Sequence, residues 1–416
     1  MAREMNSRDE AKRLGLIPLV ALLCFVSLFL CLSLFGRTNS VPSSNVQRTI
    51  FLKPVIEHEQ AETCEVIHGS WIYDSENSPL RYHQTCKEIF KGWNCALGGK
   101  SNAYDIPNWK WVPHGHECEL PRFDASTFLE TYRDMSIGFV GDSLNRNMFV
   151  SLFCTLKQVS KEVKKWRPAK SDRAFTFLNY NLTIAYHRTN LLVRYGRWTA
   201  DTKGGELESL GYKEGYRVDV DIPDTSWVDA PLFHDVLIFN TGHWWWAPAK
   251  FNPITSPMLF FEKGKPVIPP ISPPLGLDKT LKNMIPFIEK RMKPSGVLFF
   301  RTQSPRHFEG GDWDEGGSCS RVHPLSPNQV EEFFSIDRNS VNVESRLVNL
   351  HLLPALNGSK FHILNITSMS EARADAHPSI AGGKKHEDCM HWCLPGLADT
   401  WNDLFVWNLN RIKFQI

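Results

Sequence analysis

Two stretches carry residue types that could do chemistry together: Ile137-Gly-Phe-Val-Gly-Asp-Ser-Leu-Asn-Arg-Asn147 and Asp388-Cys-Met-His-Trp-Cys393. In the first, an apolar run ends in Gly141-Asp142-Ser143 and a helical pattern starts at once. A strand, a tight turn and a helix N-terminus hold the Ser143 hydroxyl at the bend, where it can be a nucleophile if a base reaches it. The N-terminal turn of that helix also offers orphan N–H groups to an oxyanion. The second stretch supplies a base. Asp388 lies three positions ahead of His391, so its carboxylate can hold one imidazole nitrogen and leave the other for a serine. Both stretches have plainer readings. Gly-Asp-Ser is ordinary turn composition, and Cys389-x-His391-x-Cys393 clusters soft zinc ligands. Zinc sites more often match two Cys pairs, and no second pair is nearby, so no metal is expected.

Further candidates surround these two. Asn240, in Asn240-Thr-Gly-His243-Trp244-Trp245-Trp246, falls where a strand should end. It could give an oxyanion a second donor, or merely belong to the turn. His243, Trp244 and Trp245 could touch sugar, with the tryptophan rings stacking on apolar sugar faces; core packing is the competing role. Arg146, one helical turn past Ser143, could hold an anionic or hydroxylated ligand or pair with a surface carboxylate. His307 and His377 have no acid three positions ahead.

The elements that must position these groups read as α/β. Continuous apolar runs at Ser136–Val140, Asp235–Phe239 and Gly296–Arg301 suit buried parallel strands, and another strand is expected over Phe361–Ile366. Helical patterns are expected over Ser126–Tyr132, Leu144–Leu156, Leu277–Lys290, Asn328–Phe334 and Asp399–Asn408. Residues 170–225 alternate as antiparallel strands would, and a Pro-rich loop is expected over about Pro248–Pro274. Strand–helix alternation around a parallel sheet places chemistry at strand ends.

The 416 residues are 42% hydrophobic and 22% charged, a globular composition, and the formal net charge of +2 gives no reason to expect nucleic acid. No Walker loop or GxGxxG fingerprint is present. From Leu14 to Gly36 there is no charged residue, long enough for a bilayer span. Arg3, Arg8, Lys12 and Arg13 precede it, favouring a cytoplasmic tail (1–13), a signal anchor (14–36) and a lumenal remainder that begins with a polar stem (37–61). Eight cysteines follow the anchor: Cys64, Cys86, Cys95, Cys118, Cys154, Cys319, Cys389 and Cys393. An even number in an oxidising compartment implies disulfides. Asn181, Asn357 and Asn365 begin sequons. Residues 62–124, rich in Cys, Trp and turn residues, read as a disulfide-stapled subdomain covering a main domain at 125–416.

Six ordered blocks resemble the plant trichome birefringence-like proteins: Gly141-Asp-Ser-Leu-x-Arg-Asn147, Asn240-Thr-Gly-His-Trp-Trp245, Phe300-Arg-Thr-x-Ser-Pro-x-His-Phe308, Gly310-Gly-Asp-Trp313, Arg373-x-Asp-x-His-Pro-Ser379 and Asp388-Cys-x-His-Trp-Cys-Leu-Pro-Gly396. Cys64 and Cys118-Glu-Leu-Pro-Arg-Phe-Asp124 resemble that family's N-terminal cysteine-rich region. The resemblance implies an SGNH/GDSL-hydrolase-like parallel sheet flanked by helices, in a Golgi type II membrane protein that O-acetylates cell-wall polysaccharide. It carries over Ser143 as nucleophile, His391 as base, Asp388 as its orienting acid and Asn240 as oxyanion donor, and it implies the pairs Cys319–Cys389 and Cys95–Cys393. No bound cofactor is expected. The co-substrates would be an acetyl donor (acetyl-CoA or an acetylated intermediate, delivered by an acetyl-donor transport system) and a xylan, mannan, xyloglucan or pectin acceptor. Two departures bear on the polymer: Cys95–Tyr104 lacks the family's usual Asn-Gly-Arg-Pro-Asp, and Asn147-Met-Phe149 replaces a common Trp-Glu pair. A polysaccharide acetylesterase with the same triad and a non-enzymatic wall-polymer bridge are the rival readings.

Overall fold

The structure is a computed structural model that describes residues 64–414, apart from 77–78, 116–117, 248–249 and 339. The expected tail, membrane span and stem lie outside the described residues. Among the described residues no helix is long and apolar enough to cross a membrane.

Thirteen strands are described: β1 Gly69–Tyr73, β2 Trp109–Pro113, β3 Ser136–Gly141, β4 Val163–Trp166, β5 Arg173–Phe177, β6 Leu182–Arg188, β7 Val193–Thr199, β8 Glu214–Pro223, β9 Val236–Phe239, β10 Met258–Glu262, β11 Lys265–Pro266, β12 Val297–Arg301 and β13 Phe361–Leu364. The longer helices are α1 Ala125–Thr131, α2 Ser143–Val159, α3 Pro273–Arg291, α4 Pro327–Phe334, α5 Glu344–Leu356 and α6 Leu397–Phe414. The main sheet has the order β13-β12-β9-β3-β6-β5-β4. Its first five strands are parallel, and β5 and β4 close one edge antiparallel. A second sheet, β11-β10-β8-β7, and the β1–β2 hairpin complete the strands.

Period-two alternation sorts the parallel strands onto two cores. Ile137, Phe139, Ile238 and Phe299 turn to one face, where α2 and α6 cover them together with Ile106, Trp93 and Trp111 of the cysteine-rich segment. Leu237, Phe239, Leu298 and Phe300 turn to the other, against Leu277, Leu281 and Met284 of α3 and Leu352 and Leu356 of α5. Each such side chain contributes about 1.5–3 kcal/mol on full burial, so both faces must be covered. Four disulfides join Cys64–Cys118, Cys86–Cys154, Cys95–Cys393 and Cys319–Cys389. Both pairs implied by the resemblance are therefore present.

Two expectations about elements need correction, and one helix is additional. β6 runs parallel to β3 in the main sheet, so the 170–225 stretch is no purely antiparallel unit. The apolar run Met258–Phe261 makes β10 a parallel partner of β8 inside the supposed Pro-rich loop. Helix α5 was not expected: its leucines scatter around the axis and Pro354 sits in its last turn.

Candidate active site

β3 delivers Gly141 and Asp142 to the start of α2. Asp142 is the N-cap, its carboxylate accepting from the Leu144 amide at 2.9 Å, which closes the first turn. Gly141 has φ +151°, and a Cβ there would lie 1.9 Å from Asn240 Oδ1. Only glycine lets β3 and the end of β9 approach this closely.

Ser143 is left half-buried at the bend, and its Oγ lies 2.8 Å from His391 Nε2. His391 Nδ1 lies 2.9 and 3.1 Å from the two Asp388 oxygens, and the His391 amide donates to Oδ1 at 3.0 Å. An ionised carboxylate only accepts, so Nδ1 carries the proton and Nε2 is free to accept from Ser143. Burial opposes charge on Asp388, but His391 and a short contact from Lys384 overcome it and hold its pKa well below the usual carboxylate range. The segment is tied on both sides of His391, by Cys389 to Cys319 and by Cys393 to Cys95. Both cysteines are consumed in these bonds, so neither offers a thiolate to the zinc alternative. The one group of possible metal ligands among the described residues, Cys319, Glu387 and Cys389, contains the same disulfide.

A second acid–histidine pair stands behind the serine. Asp142 is fully buried and faces His243 Nδ1 through its second oxygen at 3.3 Å. Burial works against both charges, but each partner outweighs it for the other: the Asp142 pKa is held low and the His243 pKa is raised. Asn240 Nδ2 donates to Asp142 Oδ1 at 2.9 Å, and Asn240 Oδ1 accepts from the Asp142 amide at 3.3 Å. These two bonds aim the amide, and Asn240 is fully buried. Asn145, next on α2, donates to the Val140 and Ile238 carbonyls and accepts from the buried Arg301, stitching α2 to β3, β9 and β12.

His243 and Trp245 do not fit the expected sugar-contact role. Both are buried, at 6% and 2% exposure. Trp245 donates its indole N–H to Thr241 Oγ1 and stacks on Phe260, and the His243 ring faces Asp142. Trp244 is half-buried under the Lys250 ammonium. Arg146 does not pair with a surface carboxylate among the described residues; its guanidinium lies over the rings of Phe90 and Trp93. The sequons at Asn181 and Asn357 are exposed, whereas Asn365 is half-buried and accepts from Thr302.

Sequence reasoning did not find the support of the base. Trp93 packs against the His391 ring, with centroids 5.3 Å apart. His377 Nδ1 lies 2.7 Å from the His391 carbonyl and must donate to it; His377 Nε2 meets His307 Nδ1 at 2.7 Å; His307 Nε2 lies 2.8 Å from the Glu371 carbonyl. Burial pushes the His307 pKa down to about 4 and that of His377 well below its ordinary value. Two neutral rings carry two N–H groups for three contacts. The pair is thus one proton short of filling its line. The signal is the Arg373-x-Asp-x-His377 block.

A serine on a strand-to-helix bend, hydrogen-bonded to a histidine held by an acid, matches one known sequence pattern along nearly all of the described chain. Residues 120–408 match the "GDSL/SGNH-like Acyl-Esterase family found in Pmr5 and Cas1p", and residues 62–119 match the "PMR5 N terminal Domain". The chain belongs to the trichome birefringence-like family. It is 62% identical to trichome birefringence-like 13 of Arabidopsis thaliana over 408 residues, 96% of this chain and 97% of that one. Trichome birefringence-like 12 of the same plant is 42% identical over 82% of this chain and 84% of its own length. A relative with a named activity, xyloglucan O-acetyltransferase 3 of Populus trichocarpa, is 29% identical over 94% of this chain and 96% of its own.

Proposed function

We propose that this protein is an O-acetyltransferase of plant cell-wall polysaccharide that works through Ser143, His391 and Asp388. The observation that carries the reading is the continuous line from Ser143 Oγ to His391 Nε2 and from His391 Nδ1 to Asp388. His391 takes the Ser143 proton as Oγ attacks the acetyl carbonyl carbon of the donor. The carbonyl π pair moves onto oxygen, facing the α2 N-terminus, with the Asn240 amide as second donor. Collapse expels the donor's leaving group, which takes the proton from His391, and the acetyl remains as a Ser143 ester. A sugar hydroxyl then gives its proton to His391 and attacks the ester. Ser143 leaves with that proton and the acetylated sugar departs. Asp388 keeps the imidazole in one tautomer throughout.

The apolar run 14–36 and the four disulfides support a single-pass type II protein of the Golgi membrane with its catalytic domain in the lumen. The acceptor would be xylan, mannan, xyloglucan or pectin, and acetyl-CoA or an acetylated intermediate the donor. The deciding experiment incubates the full chain with an acetyl donor and a panel of these oligosaccharides, read by mass. Acetylated product with wild type and none with Ser143→Ala is expected. Acetate release at one rate with and without acceptor would identify an esterase instead, and polymer binding with no turnover would identify a bridge.

A further inference from the structure

Arg146 lies three residues past Ser143 on α2, which brings their Cβ atoms to about 5–6 Å on one face of the helix. It is half-buried, and among the described residues no carboxylate lies within ion-pair distance of it; its visible neighbours are the Phe90 and Trp93 rings. A second such cation stands nearby. Arg188 ends β6 directly opposite Gly141 of β3, about 5 Å away across the parallel ladder. Tyr186, two residues earlier, bonds the Gly141 and Asp142 carbonyls on the α2 face, while His187 turns the other way to His234. Alternation therefore sends Arg188 to the face that carries Arg146. Arg188 is exposed and has no ion pair among the described residues. The nearby Arg173 is different, because Glu88 satisfies it at 2.6 Å. Burial and the proximity of Arg173 and Arg188 lower the Arg146 pKa, with the exposed Asp172 as the carboxylate acting in the other direction. Two guanidinium groups without an ion pair among the described residues thus belong to one face near the nucleophile's turn, and guanidinium matches the two oxygens of a carboxylate or phosphate.

We propose that Arg146 and Arg188 form a subsite for an anionic oxyacid group of the substrate, seated beside Ser143. The inference rests on the triad reading and deepens it. The group is either the carboxylate of a uronic-acid residue in the acceptor or a phosphate of the acyl donor. The aromatic pair under Arg146 fixes its fork without consuming its charge.

The test uses the full chain with Arg146→Gln, Arg146→Lys and Arg188→Gln, each compared by kcat/KM ratios. One arm sets a uronic-acid acceptor oligosaccharide against the same oligosaccharide with its carboxyls reduced to alcohols. The other sets acetyl-CoA against the uncharged ester 4-nitrophenyl acetate. The expected result is a charged-to-uncharged ratio reduced at least tenfold in both Gln variants, with added salt shrinking the wild-type ratio. A fall in the first arm assigns the carboxylate; a fall in the second assigns the phosphate. Arg146→Lys should retain part of the ratio. Unchanged ratios in both arms overturn the subsite. Arg188→Gln alters an exposed side chain and stays readable if Arg146→Gln misfolds. No Ser143-dependent turnover of 4-nitrophenyl acetate by wild type would fault the triad reading instead.

Discussion

Two aspartate–histidine pairs flank Ser143, made of the same residue types and doing different things. Asp388 and His391 keep 15% and 23% of their side-chain surface open, and Asp142 and His243 keep 0% and 7%. The open pair turns a ring nitrogen to the Ser143 hydroxyl. The closed pair spends its carboxylate on an N-cap, on the Asn240 amide and on its own imidazole. Chemistry needs a ring nitrogen that can gain and lose a proton beside a reactant. A sealed ion pair instead fixes where neighbours stand, because moving either charge leaves the other uncompensated. Residue type alone does not separate a base from a brace. Access does.

The contrast can be broken most forcefully at the open pair. Asp388→Asn should lower turnover about 10⁴-fold, since it spoils the tautomer, while the domain stays folded; steady-state rates and a thermal melt measure both. At the closed pair the balance should reverse. His243→Ala strands the buried Asp142 charge and should cost about 3–5 kcal/mol of stability, read by denaturant unfolding. A His243 variant that melts like wild type but is inactive would make the closed pair catalytic and end the comparison. Asn240→Ala lies between the two and should lower kcat about 10²–10³-fold, the cost of one oxyanion donor.

The smallest effect is in pH. Folded His307 titrates at about 4 against about 6.5 in the unfolded chain, so between these values unfolding takes up protons. Acidification through that window should therefore destabilise the protein, by up to about 1.4 kcal/mol per pH unit for one such group. His243 has the opposite sign: its raised pKa contributes stability that is complete below about 6.5 and is lost as pH rises through the folded value. Asp142 and Asp388, both depressed, keep their contribution until the pH falls below the ordinary carboxylate range of about 4. Melting temperatures recorded from pH 4 to 8 should pass through a maximum, and a flat profile would contradict the buried histidine environments.

Much of this site could be read from local pattern. The Ser143 bend shows itself because an apolar run, a glycine and an N-cap aspartate stand in line, and Asp388 and His391 because three residues of spacing suffice for their contact. Asn240 was visible as a strand end. Burial was not. Whether Trp245 faces a sugar or Phe260 depends on β10, whose run lay hidden among prolines. The His377–His391 contact joins segments by folding, with no spacing to advertise it. Helix α5 escaped because its leucines fall on buried and exposed sides alike and a proline sits in its last turn, so it shows no clear period.

The two disulfides that bracket the base carry a consequence for when the protein can act. Ser143 is installed by a strand and a helix that follow each other directly in sequence. His391 sits between two cysteines whose partners lie 70 and 298 residues away in sequence. Seating the base therefore waits on the last long-range oxidation, after most of the domain has emerged. A chain held in reducing surroundings would have its nucleophile built and its base unmoored. Thiol oxidation then serves as a safety catch on the base.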